Sequence, residues 1–247
     1  MSFWNSALGA MIGFSLGGPI GGLIGGVIGS KLGGQKAHSS SRSNFTNTQK
    51  QQAAFFAALF ACLAKIAKSD GVITKEEIDK VEIFIKDRFK LSSDDRQYAI
   101  DVFNHAKDDQ VSYEEYAAQL ASLLGNNTNA LIMFYELLFE LAMADGVLDE
   151  SEEALLRKTP NIFKLDFSLF EQMLNKFSAG SKDPYKILGV DRESPFIEIK
   201  KVYQKKRREF HPDTLVSKGL PEELINKAKE KFIEIQSAFE EIEKKQG

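Results

Sequence analysis

The sequence has little cysteine, little histidine and no large excess of charge, and these scarcities exclude several kinds of protein. One cysteine cannot form an internal disulfide, so nothing in the chain requires an oxidising compartment. One cysteine and three histidines argue against a Cys/His zinc site. With 35 acidic and 32 basic side chains, the net charge of −3 gives no general reason to expect nucleic-acid binding. The 247 residues suffice for one large or two small domains.

Charged side chains are absent from the first 30 residues. The 28 uncharged residues from Phe3 to Ser30 exceed the roughly 20 that a helix needs to cross a bilayer. No basic n-region and no convincing cleavage site accompany them, which favours a retained anchor over a removable signal peptide. Trp4 near the outer end of the segment and Lys31, Lys36 and Arg42 after its inner end fit an aromatic anchor and the positive-inside rule. We therefore expect a single-pass membrane anchor, with the N-terminus outside and the remaining chain in the cytoplasm.

Glycine recurs every four residues in this segment. Residues four apart share a helix face, so the pattern predicts a groove that lets two helices approach closely and form a homodimer in the membrane. A flexible glycine-rich tail is the alternative, because glycine costs about 1 kcal/mol per helical position and Pro19 lies within the segment. The glycines of the stripe are Gly9, Gly13, Gly17, Gly21, Gly25, Gly29 and Gly33.

The middle of the chain is predicted to be entirely helical. We place an anchor at 1–33, a polar linker at 34–50 and a helical domain at 51–178. Ala53–Ala67 and Leu131–Met143 are apolar on nearly every face and predict the central helices of a bundle. Five amphipathic segments predict the surrounding helices. They are Lys75–Lys90, Ser92–Lys107, Ser112–Leu124, Ser151–Lys158 and Asp166–Phe177.

An Asp-Gly motif followed by an acidic helix occurs twice, 75 residues apart, starting at Ala67 and at Ala142. Its offsets suggest an EF-hand, but the first and third ligand positions carry side chains without oxygen, which excludes a standard calcium loop. A helix–turn–helix corner is favoured, and a weaker divalent-ion or partner site is the alternative. That site would use Asp70, Glu76, Glu77, Asp145, Asp149 and Glu152. The paired corners in a helical domain resemble the TerB-like fold of tellurite-resistance proteins.

Residues 179–247 predict a small helical unit. Two amphipathic stripes, joined by a loop that begins with His211-Pro212-Asp213, indicate an antiparallel helical hairpin. The outer face of the first helix is basic. Its cations are Lys200, Lys201, Lys205, Arg207 and Arg208.

Four segments of this unit, in this order and spacing, resemble the J domain of the DnaJ (Hsp40) family: DPYKILGV, EIKKVYQKKRREF, HPD and KFIEIQSAFEEI. The resemblance implies that His211, Pro212 and Asp213 contact a DnaK-type Hsp70 and stimulate its ATP hydrolysis. It also implies that the five cations dock on an acidic patch of that chaperone. Lys206 departs from the family, which usually has an apolar residue there, so we expect a looser hairpin or a lysine that extends to solvent.

The order of the three parts resembles the DjlA group, membrane-anchored DnaJ-like co-chaperones of Gram-negative bacteria. The sequence contains no Ser/His/Asp or Cys/His arrangement, no phosphate-binding glycine loop and no zinc set, so we expect no enzyme activity, cofactor or metal. The expected protein is all-α: a transmembrane helix, a TerB-like bundle and a J-domain hairpin that recruits a DnaK-type Hsp70. The alternative is a metal- or stress-responsive membrane scaffold with the middle domain as its sensor.

Overall fold

The computed structural model describes residues 16–31, 47–69, 71, 75–84, 86, 91, 93–125, 127–143, 148–179, 183–211, 213 and 222–246. Within these ranges the fold is all-α, as predicted, with eleven helices and no strand. The helices are α1 (Gly18–Lys31), α2 (Asn47–Ala67), α3 (Lys75–Phe84), α4 (Ser93–Asp108), α5 (Tyr113–Leu124), α6 (Thr128–Ala142), α7 (Glu150–Ile162), α8 (Ser168–Ala179), α9 (Pro184–Leu188), α10 (Phe196–Glu209) and α11 (Glu222–Gln246).

Helices α2 and α6 form the centre of the bundle, as their continuous apolar sequences predict. Phe55 of α2 and Phe134 of α6 are fully buried and meet edge to face, with ring centroids 5.5 Å apart. The lone cysteine, Cys62, is also fully buried on α2, and burial raises the pKa of its thiol. A helix buried on all sides can be apolar all round because no face of it meets water.

The start of α5 shows how local sequence sets the surrounding helices. The Glu115 amide donates to Ser112 Oγ at 3.2 Å, and the Ser112 amide donates to Glu115 Oε2 at 2.9 Å. This capping box satisfies two backbone donors that lack helical partners. The predicted helix start at Ser112 is therefore confirmed.

Helix α1 packs against the bundle, on α2, α4 and α5. Ile20 and Ile24 are fully buried in the bundle core. The side-chain amide of Gln119 binds the start of α1: its Nε2 donates to the Gly17 carbonyl and its Oε1 accepts from the Ile20 amide, both at 2.7 Å. None of the helices in the described ranges has the length and apolarity needed to cross a bilayer.

The predicted glycine stripe is only partly described. Gly9, Gly13 and Gly33 lie outside the described residues. Gly17 has a φ of 60° and precedes the helix, a conformation that glycine adopts without a steric penalty. The other three stripe positions lie on α1. A Cβ at Gly25 would meet no atom of the described residues within 4 Å, and this glycine is partly exposed.

Helices α9, α10 and α11 enclose a second, smaller core. Ile199 of α10 and Ile242 of α11 are fully buried in it, and Tyr203 stacks on Phe239 with ring centroids 4.1 Å apart. The first turns of α11 instead join the bundle core, where Leu224 is fully buried. One helix therefore contributes to both cores.

Candidate functional site

The structure describes two of the three residues of the predicted activation site, which follows α10 in the sequence. His211 and Asp213 are described, and Pro212 lies outside the described residues. The Asp213 amide donates to His211 Nδ1 at 3.3 Å, which requires Nδ1 to be an acceptor and the proton of a neutral imidazole to be on Nε2. The edge of the His211 ring meets the face of Phe232, with centroids 5.4 Å apart. These contacts hold the imidazole against the second helix of the hairpin.

The Asp213 carboxylate points away from the protein. Its side chain is 90% exposed, and its Oδ2 is 3.7 Å from His211 Nδ1, too far for a hydrogen bond. An exposed carboxylate can accept a charge-assisted hydrogen bond from an Arg or Lys of another protein. The loop therefore presents one exposed anion close to the His211 ring.

The five predicted docking cations form one exposed surface on α10. Each is exposed, and Lys205 makes only a long contact of 3.9 Å with Glu209 on the same helix. The Arg207 guanidinium lies 5.8 Å from the centroid of the Phe232 ring, next to His211. The surface thus begins beside the loop and extends along α10. It consists of Lys200, Lys201, Lys205, Arg207 and Arg208.

The sequence of α10 explains why this surface is presented. Ile199 and Phe210 are buried in the hairpin core and fix the rotation of the helix, so the intervening basic residues face solvent. Glu198 lies in the first turn, and three cations lie in the last, the arrangement that the helix macrodipole favours.

Lys206 faces the opposite side of α10 from this surface. Its Nζ donates to the Ile187 carbonyl of α9 at 3.4 Å. Burial, together with the nearby Lys231, lowers the pKa of Lys206 to about 8. The Lys206 side chain is half-buried, and its ammonium group reaches the Ile187 carbonyl. An apolar side chain, which the family usually has at this position, could not make this hydrogen bond.

An ion-pair cluster that sequence analysis missed joins the bundle to the hairpin. Glu136 of α6 is 2% exposed and accepts from Lys176 of α8 at 2.6 Å and from Lys231 of α11 at 2.9 Å. Lys227 of α11 bonds Glu140 of α6 at 2.6 Å. Burial alone would raise the pKa of Glu136, but the surrounding lysines hold it well below its ordinary value. The only sequence signal was two glutamates in an otherwise apolar helix.

The two Asp-Gly corners give different amounts of information. Asp70 and Asp145 lie outside the described residues, and the side chains of Glu76 and Glu77 are not described either. In the second corner, Asp149 and Glu152 form a capping box: Asp149 Oδ1 accepts from the Ser151 amide at 2.7 Å and from the Glu152 amide at 2.9 Å. These two carboxylates therefore start α7, as the favoured interpretation expects.

No group of three or more potential metal-ligating side chains occurs among the residues whose placement is described. The divalent-ion alternative depends largely on residues outside that part of the chain, so it stays a prediction.

Comparison with known proteins identifies both folded parts. The family model described as "Tellurite resistance protein TerB" matches residues 56–175, and the one described as "DnaJ domain" matches residues 183–246. "Co-chaperone protein DjlA" of Photobacterium profundum is 32% identical over 229 residues, which cover 83% of this chain and 82% of that protein. The chain belongs to the DjlA family of co-chaperones.

Similarity to the DjlA family extends over the whole chain. The Escherichia coli (strain K12) member is 30% identical over 269 aligned positions, covering 99% of this chain and 92% of the relative. The Aliivibrio fischeri member is 30% identical, covering 86% and 88%. No solved structure matches. The predicted resemblances to TerB, to the J domain and to the DjlA group are confirmed, and with them a co-chaperone role.

Proposed function

We propose that this chain stimulates ATP hydrolysis by a DnaK-type Hsp70 through His211, Pro212 and Asp213. The observation that carries the proposal is the exposed Asp213 carboxylate, whose backbone amide binds His211 Nδ1 beside a helix with five exposed cations. A J-domain co-chaperone does no bond chemistry itself, so exposure and charge of this surface are the properties that matter.

The charges suggest how the two proteins meet. The cations of α10 would draw an acidic surface of the chaperone toward the hairpin and orient it, since complementary charge mainly sets the rate and register of association. Asp213 would then pair with a cation of the chaperone. The bundle contacts the end of α10 and α11, and the five cations of α10 stay exposed.

The first test is single-turnover ATP hydrolysis by a DnaK-type Hsp70 with the full-length chain as wild type and as His211→Gln. We expect stimulation by wild type and loss of most of it in the variant, because glutamine lacks the imidazole that meets Phe232 and accepts from the Asp213 amide. His105→Gln, at an exposed histidine of α4, is the matched control and should stimulate like wild type. Equal stimulation by His211→Gln and wild type would contradict the proposed role of the loop.

We further propose that residues 1–33 anchor the protein in the bacterial inner membrane as a single span, with the J domain in the cytoplasm. The uncharged segment and the lysines that follow it support this placement. Ile20 and Ile24 can face either lipid or the bundle, so anchoring requires α1 to leave the packed position seen here. The stripe at Gly25, open in this arrangement, is available for pairing with a second copy.

A further inference from the structure

A cavity of about 520 Å³ lies between the bundle and the hairpin. Its walls are the start of α6, one face of α8, helix α9, the end of α10 and the middle of α11. Small-molecule sites in proteins occupy about 300 to 1,000 Å³ and favour boundaries between domains. The cavity has the size and position of such a site, and it is separate from the exposed cations of α10.

One part of the cavity wall is apolar. Ile132 and Leu169 of the bundle are partly exposed, and Phe210 and Ile235 of the hairpin are nearly buried behind them. Met173 lies among these side chains. A flexible thioether among branched and aromatic groups can adapt to an apolar body of varied shape.

Among the charged side chains of the cavity wall, the half-buried Lys206 makes no ion pair with a described carboxylate. Six charged side chains line the cavity: Lys176, Lys186, Lys206, Lys231, Glu209 and Glu234. Lys176 and Lys231 bind Glu136, Glu234 binds Lys176 at 3.1 Å, and Glu209 lies 3.9 Å from Lys205. Lys206 has no carboxylate within 4.0 Å in the described part of the chain, and its one hydrogen bond goes to a carbonyl.

We propose that this cavity binds a small amphiphile with one anionic head group, a carboxylate or phosphate monoester, at Lys206 and its apolar body against Leu169 and Met173. Lys186, exposed at the rim, is the second cation within reach of the head group. Burial and the nearby Lys231 disfavour the protonated form of Lys206 and lower its pKa. A bound anion would stabilise that protonated form. Both domains contribute walls, so the ligand contacts bundle and hairpin together.

Selective acylation of Lys206 tests the proposal on the full-length chain. With its pKa near 8, much of Lys206 is the free amine at pH 8, and it can be acetylated by sulfo-NHS-acetate and quantified by peptide mass spectrometry. The probe is 1-naphthyl phosphate. At roughly ten times its dissociation constant, about a tenth of the sites stay empty, so acetylation of Lys206 should slow about tenfold.

Two controls separate binding from general effects. Lys205 is adjacent in sequence but 74% exposed, so its acetylation should not change. The neutral analogue 1-naphthol should not protect Lys206. Equal slowing of both lysines by 1-naphthyl phosphate, or no slowing of Lys206, would overturn the proposal.

Substitution gives a second measurement. We expect fluorescence anisotropy of 1-naphthyl phosphate to show binding to wild type and to Lys206→Arg, with affinity at least about tenfold weaker for Lys206→Met. Unchanged affinity in a Lys206→Met protein with a wild-type thermal midpoint would overturn the assignment of Lys206. Because no Hsp70 is present, this outcome is independent of the ATPase test.

The source of the head group is a separate arm of the acetylation experiment. Vesicles that contain phosphatidic acid, whose head group is a phosphate monoester, and vesicles of phosphatidylcholine alone replace the soluble probe. Protection of Lys206 by the anionic vesicles alone supports a lipid head group as the occupant, and protection by 1-naphthyl phosphate without vesicles supports a free metabolite. No protection in either arm rejects the site.

Discussion

Lys206 is a half-buried lysine whose effect on the stability of the protein depends on pH. The family resemblance led us to expect a looser hairpin or a lysine that extends to solvent. The lysine instead ends at the Ile187 carbonyl, on the wall of the interdomain cavity. Its position next to Lys231 and away from bulk water disfavours the protonated form.

The stability of the protein should therefore rise with pH in one window through Lys206. Its folded pKa of about 8 lies below the ordinary lysine value of about 10.4. Between these values the unfolded chain binds more protons than the folded one, so the free energy of unfolding increases with pH. For wild type relative to Lys206→Met, we expect a gain of about 2 kcal/mol between pH 7 and pH 10, measured by urea unfolding.

Lys205→Met is the matched control for this pH dependence. Lys205 is 74% exposed, so its removal should leave the pH dependence of wild type unchanged. If the free energy of unfolding changes equally between pH 7 and pH 10 in wild type and in Lys206→Met, Lys206 is as well solvated in the folded protein as in the unfolded one.

Helix α1 is the element whose environment has most bearing on function. As seen here, it buries Ile20 and Ile24 in the bundle and leaves Gly25 open. A glycine whose Cβ position is empty within the chain can be enlarged without disturbing the fold. Gly25 is therefore the position at which self-association can be tested apart from stability.

For Gly25→Leu we expect self-association in vesicles to weaken by about fivefold, about 1 kcal/mol, because leucine separates two helices that pack through small residues. Förster transfer between differently labelled full-length copies measures this. The thermal midpoint should stay near that of wild type, since no atom of the described residues lies within 4 Å of the new Cβ. Ile20→Leu also places a leucine on α1, but on the face that packs against the bundle, so it should keep the transfer signal. Equal signals for wild type and Gly25→Leu would show that the helices do not pair through the glycine stripe.

Local patterns predicted the elements well, and for a physical reason. The capping box at Ser112 and the continuous apolar sequence of α2 both concern neighbouring residues, so sequence spacing is enough to reveal them. The docking of α1 depends on Gln119, about a hundred residues from the backbone groups it binds. Sequence periodicity predicts which face of a helix is apolar, but it does not predict a hydrogen bond between residues so far apart in the chain.

Across the whole chain, the bundle and the hairpin are joined by α11 and by the charges around Glu136. Leu224 is buried in one core and Ile242 in the other, so the helix belongs to both. The proposed activation tripeptide, His211-Pro212-Asp213, could be recognised in the sequence because its residues are consecutive. The Glu136 cluster was not, because its three lysines lie 40 to 95 residues away along the chain.

Glu136→Gln should loosen the contact between the two parts. Removing the carboxylate leaves three lysines close together in a buried position, and breaking a buried ion pair in this way costs about 3 kcal/mol. We expect amide hydrogen exchange to accelerate in the first turns of α11 and the calorimetric unfolding profile to become broader than that of wild type or to split. Glu241→Gln, which removes an exposed pair with Lys245 on the same helix, should change neither.

The same carboxylate predicts how the contact responds to acid. The pKa of Glu136 is depressed in the folded protein, so its stabilising contribution is complete above the ordinary glutamate value of about 4.3 and is lost only as pH falls toward the folded value. The interdomain contact should thus survive mild acid. Fast exchange in α11 already at pH 5 would contradict this account of the cluster.

The burial of Cys62 decides what kind of bond can join two copies of this protein. Oxidants and disulfide exchange act on the thiolate, and a fully buried thiol with a raised pKa supplies almost none. The folded chain has no other sulfhydryl to offer. Any dimer formed by the folded protein is therefore held together without a disulfide bond through Cys62, and reducing agents cannot separate its two copies.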